Sequence, residues 1–194
     1  MEAMKVVGIN GSPRPNGNTS IIIRTVFAEL ELQGIDTELL QLSGQSLKGC
    51  TACWKCMELK NQRCIIEDDC FNEYFAKMVE ADGIILGSPV YASDVTSQIK
   101  ALIDRASIVL SVNKGLFRHK VGASVTAVRR GGAISAFDTL NRFLHSKEMF
   151  LVGSTYWNMV YGRNIGEVEK DQEGMDNMKN LGQNMAWLLK KIQS

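Results

Sequence analysis

The stretch Met4-Lys5-Val6-Val7-Gly8-Ile9-Asn10-Gly11-Ser12-Pro13-Arg14-Pro15-Asn16-Gly17-Asn18-Thr19-Ser20 decides the fold. Its first seven residues read as a buried strand, and the next seven are turn formers. From residue 18 to about 33 the apolar positions Ile22, Ile23, Val26, Phe27 and Leu30 recur at helical spacing, and Gly34 ends that helix. A strand, a glycine-rich loop and a helix start in this order aim free amides and the positive end of a helix dipole at one point. Ser12, Arg14, Asn18, Thr19 and Ser20 supply side-chain donors around it, which describes a pocket for a terminal phosphate dianion. The competing reading is a plain turn and helix cap built from the same residue types. A Walker A loop is excluded, because five residues separate Gly11 from Gly17 and Asn18 stands where its Lys would be. The pattern G-x-G-x-x-G is absent as well.

Outward from that loop, short apolar runs alternate with amphipathic stretches. Further strands are expected over residues 37–42, 83–87, 122–128 and 150–152. Helices are expected over 69–80, 96–110 and 133–145, with a last helix carrying Met178, Leu181, Met185, Leu188 and Ile192 on one stripe. Five strands alternating with five helices specify βαβ units and a parallel sheet covered on both faces. Right-handed crossovers then lead to an α/β, flavodoxin-like three-layer sandwich with strand order 2-1-3-4-5. One domain is expected over residues 1–194, with a cysteine-rich insertion at about 48–68, after the second strand. Ligands of such sheets sit beyond the carboxyl ends of the strands, so the loops after strands one, three and four are where chemistry is sought.

Composition narrows the partners. With 22 basic and 21 acidic side chains the net charge is +1, and no global field favours nucleic acid or an anionic membrane. No run approaches the ~18 apolar residues of a membrane span, and the start carries no secretory pattern. A cytoplasmic, soluble protein is the expectation.

All five cysteines, Cys50, Cys53, Cys56, Cys64 and Cys70, crowd into 21 residues of a 194-residue chain. An odd, clustered set argues for metal ligation or redox chemistry rather than a disulfide framework. Cys50-x2-Cys53-x2-Cys56-x7-Cys64 gathers three thiolates in a small volume, with a fourth to complete the set. It is not the ferredoxin run, whose last step is shorter and followed by proline. Zinc on four thiolates, free thiols, or a Cys53–Cys56 redox disulfide stay open as alternatives. Cys70 lies outside the spacing and reads as a core or cap-region thiol. Trp54 and Met57 could shield such a site or pack on a partner subunit. His119 and His145 are isolated and read as surface or structurally satisfied histidines.

Two of these segments carry a resemblance. Gly11-Ser12-Pro13-Arg14 with Gly17-Asn18-Thr19 is similar to the FMN phosphate loop of the NADPH-dependent FMN reductase family. Gly87-Ser88-Pro89-Val90-Tyr91, followed by Thr96 and Lys100-Ala101-Leu102-Ile103-Asp104-Arg105, agrees with it over roughly residues 4–130. The cysteine motif resembles that of iron–sulfur flavoproteins, which join a 4Fe–4S cluster to this FMN fold. The resemblance implies phosphate contacts from Ser12, Arg14, Asn18, Thr19 and Ser20. It implies ring contacts from Pro89, Val90, Tyr91 and Ala92, closure by Val128, Gly131 and Gly132, and cluster ligation by Cys50, Cys53, Cys56 and Cys64. Arg129 and Arg130, just before those glycines, depart from the small residues more usual in the family and read equally as a solvated pair.

The implied activity is an FMN-dependent oxidoreductase in which the flavin does the chemistry, so no catalytic triad is expected and none is seen. A cluster would let it link a ferredoxin-type one-electron donor to a small acceptor such as a quinone, oxygen or peroxide. One alternative is a cluster-less NAD(P)H-dependent FMN or quinone reductase. Another is a non-enzymatic flavodoxin-like carrier, against which stands the lack of an acidic face for steering. A homodimer or tetramer is expected, partly because Ile108 and Leu110 lie off the apolar stripe of the helix over 96–110. Residues 154–176, with Tyr156, Trp157 and Tyr161, match no interpretable motif.

Overall fold

Strands that are apolar along their whole length, without polar alternation, belong in the middle of a covered sheet, and that is where this chain puts them. The computed structural model describes residues 3–193. The strands are β1 (Lys5–Asn10), β2 (Asp36–Gln41), β3 (Gly83–Pro89), β4 (Val121–Val128), β5 (Phe150–Leu151) and β6 (Met159–Tyr161). The helices are α1 (Asn18–Glu31), α2 (Lys55–Leu59), α3 (Phe71–Glu80), α4 (Ser97–Val112), α5 (Ala133–His145) and α6 (Gln172–Gln193), with a 3-10 turn at Glu167–Lys170. Sheet order is β2-β1-β3-β4-β5, all parallel, as the alternation of elements requires. The inner strand β4 is buried at every position, while β5 at the edge is exposed.

Side-chain alternation sorts the core into two layers. Val7, Ile9, Ile84 and Leu86 face α3, α4 and α5, where Phe71, Phe75, Phe117 and Phe143 continue in a chain of ring contacts 5.5–6.5 Å apart. Val6, Ile85, Val121, Ala123 and Val125 face α1 and α6 on the other side. Each large side chain so covered contributes roughly 1.5–3 kcal/mol of transfer free energy.

Several boundaries differ from the sequence expectation. The fifth strand position is split: β5 pairs with the start of β4 (Val121↔Phe150), and β6 rejoins its end (Thr126↔Met159, Val128↔Tyr161). Between them the chain bulges outward, and buried Asn177 of α6 holds that excursion. Its Nδ2 donates to the carbonyls of Trp157 (2.9 Å) and Tyr156 (3.3 Å), and its Oδ1 accepts from the Tyr156 N–H (3.0 Å). Helix α3 starts at Phe71 rather than residue 69, since Asp69 accepts from the Phe71 N–H and Cys70 takes the N-cap. On α6 the buried stripe is Met178, Leu181, Met185 and Leu189; Ile192 is exposed. The extra apolar residues of α4 are covered within the chain: Leu110 lies in the core and Ile108 packs at the cysteine-rich segment, so they leave no bare stripe for a partner. Among the described residues no helix is long and apolar enough to cross a membrane.

Candidate functional site

The loop between β1 and α1 is held by a buried polar lattice. The Gly11 N–H donates to the Gly87 carbonyl of β3 (2.8 Å), and the Gly11 carbonyl accepts from Thr96 Oγ1 (2.7 Å). A Cβ on Gly11 would stand 2.1 Å from Ile99 Cγ1, so this approach of loop to α4 requires glycine. Asn10 Nδ2 donates to Gln41 Oε1 (2.6 Å), Gln41 Nε2 donates to the Ser12 carbonyl (2.8 Å), and Asn10 Oδ1 accepts from the Ser12 N–H (3.0 Å).

Helix α1 then begins with Gly17 as its N-cap, which has no side chain to cap it. Ser20 and Ile21 turn their N–H groups back to the Gly17 carbonyl. Among the described residues the N–H groups of Asn18 and Thr19 have no acceptor, and the buried Thr19 hydroxyl has no partner. Three donors converge without an acceptor at the positive end of a helix, which is the arrangement a phosphate satisfies. Arg14 is exposed beside them and makes no ion pair among the described residues. The Asn18 side chain is engaged elsewhere: Nδ2 donates to the Asn164 carbonyl and Oδ1 accepts from the Gly166 N–H, both at 2.9 Å. It straps the loop after β6 to the start of α1, leaving its backbone N–H for an anion. Ser12 Oγ accepts from the Arg14 N–H (3.1 Å) and shapes the loop.

The loop after β3 is a tight reversal. The N–H of Tyr91 donates to the Asp94 carbonyl (2.8 Å) and the Asp94 N–H to the Tyr91 carbonyl (3.0 Å), with Ala92 and Ser93 left-handed at φ 47° and 65°. Non-glycine residues adopt that region at a cost and gather at binding sites. Tyr91 is 48% exposed, so it is a surface aromatic and not a core one. The loop after β4 leans on this turn, because a Cβ on Gly132 (φ 86°) would lie 2.9 Å from Ser93 Cα and 3.1 Å from Val90 Cγ1. Val128 is buried beneath it, while Gly131, Arg129 and Arg130 face solvent. The opposite flank of this loop borders a cavity of about 270 Å³ walled by Ile134, Tyr156, Trp157 and Tyr161.

The cysteine-rich segment contains only the short α2, and its strain is local. Ala52, Trp54, Lys60 and Gln62 all have φ between 49° and 61°, in the left-handed region. Cys50, Cys53, Cys56 and Cys64 line one cavity of about 60 Å³ against Ile108 and Val109 of α4. Cys56 is buried, Cys64 half-buried, and Cys50 and Cys53 are exposed on the outer wall. Burial and the neighbouring sulfurs of Cys64, Cys53 and Cys50 push the Cys56 thiol up. The N–H of Lys55 and the Thr51 hydroxyl pull Cys53 down. Cys56 is thus the thiol that burial and its three neighbours keep protonated, while Cys53 is eased toward the thiolate. Cys70 is buried at the cap of α3, away from that cavity.

The sequence model of the NADPH-dependent FMN reductases matches residues 4–163. The chain belongs to that family. An iron–sulfur flavoprotein of Methanocaldococcus jannaschii is 39% identical over 98% of this chain and 100% of the relative. Another from Methanosarcina thermophila is 32% identical over 98% and 97%. Among solved structures the fold is similar to RosB with a bound formylriboflavin phosphate (TM-score 0.77, 16% identity, 98% of this chain and 81% of that one). It is also similar to an archaeal flavodoxin (TM-score 0.63, 13% identity, 96% and 99%). As a flavin-binding member of the FMN reductase family, the protein is an FMN-dependent oxidoreductase.

In this family member the structure brings Ser12, Thr19 and Ser20 together at the buried start of α1, and Val90, Ala92 and Gly132 at the neighbouring loops. It places Arg14 on the rim and diverts the Asn18 side chain. Sequence reasoning missed the lattice of Asn10, Gln41 and Thr96 that fixes the loop between β1 and α1. It also missed Arg105, whose side chain is 0% exposed and ion-paired with Asp69, also 0% exposed. Burial works to raise the Asp69 carboxyl, but the Lys48 N–H, Arg105 and the Phe71 N–H together hold it below the usual range. His119 stacks on Phe150 at 5.5 Å, and His145 ends α5 in solvent; neither joins the site.

Proposed function

We propose that this FMN oxidoreductase is of the two-cofactor kind, receiving electrons from a ferredoxin-type carrier and delivering them to a small acceptor. Ser12, Thr19, Ser20, Arg14 and the Asn18 N–H bind the FMN phosphate. Pro89, Val90, Tyr91 and Ala92 line one side of the ring, and Val128, Gly131 and Gly132 close the other. Cys50, Cys53, Cys56 and Cys64 hold a 4Fe–4S cluster. When bound, flavin exchanges electrons singly or in pairs and the cluster singly, so together they join one-electron donors to two-electron acceptors. The chain's own part is to bind, orient and shield.

The observation that carries this reading is the one cavity lined by all four spaced thiols. Four thiolates suit a four-iron cluster, which spreads them over separate irons, and two successive C-x2-C steps crowd three ligands more tightly than usual zinc sites. Among the described residues no three ligating side chains converge on one point as they stand. The exposed Trp54, Met57, Leu59 and Ile65 beside the cavity suit burial in a homodimer or tetramer.

Anaerobic purification with iron and acid-labile sulfide assays tests the reading. About four of each per chain, beneath flavin bands, is the expected result. Flavin without iron turns the assignment to a second reading, a cluster-less NAD(P)H-dependent FMN or quinone reductase. The exposure of Cys50 and Cys53 favours that reading, and rapid flavin reduction by NADPH alone would establish it.

A further inference from the structure

One cation reaches both stems of the cysteine-rich segment. Helix α4 carries Arg105 inward, where Nη1 donates to Asp69 and to the Lys48 carbonyl (3.2 Å), and Nη2 to the Ile66 carbonyl (3.1 Å). The guanidinium lies 4.2 Å above the centre of the Phe71 ring. Lys48 precedes the first cysteine of the motif and Ile66 follows the fourth, so Arg105 clamps the segment at both ends. Asp69 reinforces the clamp by accepting from the Lys48 N–H (2.9 Å). One donor is left over. Nε is buried and has no partner among the described residues, although Arg105 lines the same cavity as Cys50, Cys53, Cys56 and Cys64. A buried unpaired donor is an exception in folded proteins and calls for an acceptor.

Resting on the cluster reading given above, we propose that Arg105 is the positioning residue of the iron–sulfur site and that its Nε–H donates to a sulfur of the ligated cluster. The ion pair with Asp69 leaves Arg105 little net charge to offer, so its influence is directional and comes through that one N–H. Reduction adds one electron to the anion enclosed by the four thiolates and takes up no proton. A hydrogen bond to sulfur stabilises the more negative state and raises the potential, more strongly where the surroundings are dry. A residue that only clamped the segment would change how much iron is held, and leave both the potential of the retained cluster and its hyperfine couplings untouched.

The full chain is purified anaerobically, reconstituted with iron and sulfide, and reduced with dithionite, which supplies the electron. Wild type carrying 15N-labelled arginine is compared with Arg105→Lys, which keeps a cation and removes Nε. The expected results are a 15N coupling in the hyperfine spectrum of the reduced wild-type cluster, its loss in Arg105→Lys, and a lower midpoint potential in the variant. The shift should be about tenfold in the one-electron equilibrium, ~59 mV. A wild-type cluster with full iron and no arginine coupling overturns the proposal while the cluster reading stands, whether or not the variant folds. An unchanged potential at full iron in Arg105→Lys overturns it as well. A wild-type chain that takes up no iron or sulfide refutes the cluster reading, and this proposal falls with it.

Discussion

Replacing Thr96 by Val should loosen the loop between β1 and α1 without altering any residue proposed to touch the flavin. Thr96 is 1% exposed and caps α4. Its hydroxyl donates to the Gly11 carbonyl at 2.7 Å and accepts from the Ile99 N–H at 3.4 Å. Valine fills the same volume with a methyl group. The Gly11 carbonyl then loses its side-chain donor in a buried setting, which costs ~1–3 kcal/mol. Losing the cap adds ~1 kcal/mol, toward the low end because the cap bond is long. The sum is about 3 kcal/mol. For a chain of this length each kcal/mol lowers Tm by ~2–4 °C, so a fall of ~6–12 °C is expected. Equilibrium urea unfolding of flavin-free protein is the assay, with a lower midpoint at unchanged m-value. Flavin must be removed first, since ligand at 100 times Kd adds ~2.7 kcal/mol and would mask the difference. Thr96→Ser keeps the hydroxyl and should recover all but ~1 kcal/mol, the share of the missing methyl. If Thr96→Val lies within ~0.5 kcal/mol of wild type, or Thr96→Ser is as unstable as Thr96→Val, the loop is not held in this way.

Gly132→Ala should destabilise by at least the ~1–2 kcal/mol of a left-handed alanine, because its Cβ would also meet Ser93 Cα at 2.9 Å; a calorimetric Tm equal to wild type refutes the close contact of the loops after β3 and β4. Cys56→Ser should lower iron per chain sharply whereas Cys70→Ser leaves it intact, and equal losses would show that the cavity does not separate ligand from bystander. Glu167 accepts from the N–H groups of Asn164 and Arg163 and the Asn164 side chain, which lower its pKa to about 2 from 4.5. A depressed carboxylate stabilises the fold above its unfolded pKa and loses that contribution as pH falls through the folded value. Glu167→Gln should therefore flatten the decline of the urea midpoint between about pH 4.5 and 2, and curves that stay parallel over that window would exclude these three bonds as its source.

The layers of the fold were legible because burial writes itself into composition. Val6-Val7-Gly8-Ile9 and Gly83-Ile84-Ile85-Leu86 have no polar face, so they had to be inner strands. The splitting of the fifth strand was not legible, because Met159-Val160-Tyr161 is too short a run to register as a strand. Its place depends on Asn177, which caps the bulge from another element. The turn after β1 and the start of α1 were readable from their glycines and apolar spacing. Their scaffold was not, since Asn10, Gln41 and Thr96 are ordinary polar residues until the sheet brings positions tens of residues apart into hydrogen-bond range.

Arg105 shows where a signal did exist. The apolar stripe of α4 runs through Leu102, Ala106 and Val109, and Arg105 sits three residues after the first and four before the last. It therefore projects from the covered face of the helix, not the wet one. A guanidinium there must be paired and hydrogen-bonded or it would not be buried at all. The partner must come from whatever packs over that end of α4. The chain between the second strand and third helix is a long segment without periodicity, and it holds the Asp68-Asp69 pair at its end. A single charge on an apolar stripe thus points to the cysteine-rich segment as something docked and held in place. The pairing found between Arg105 and Asp69 is the form that anchor takes.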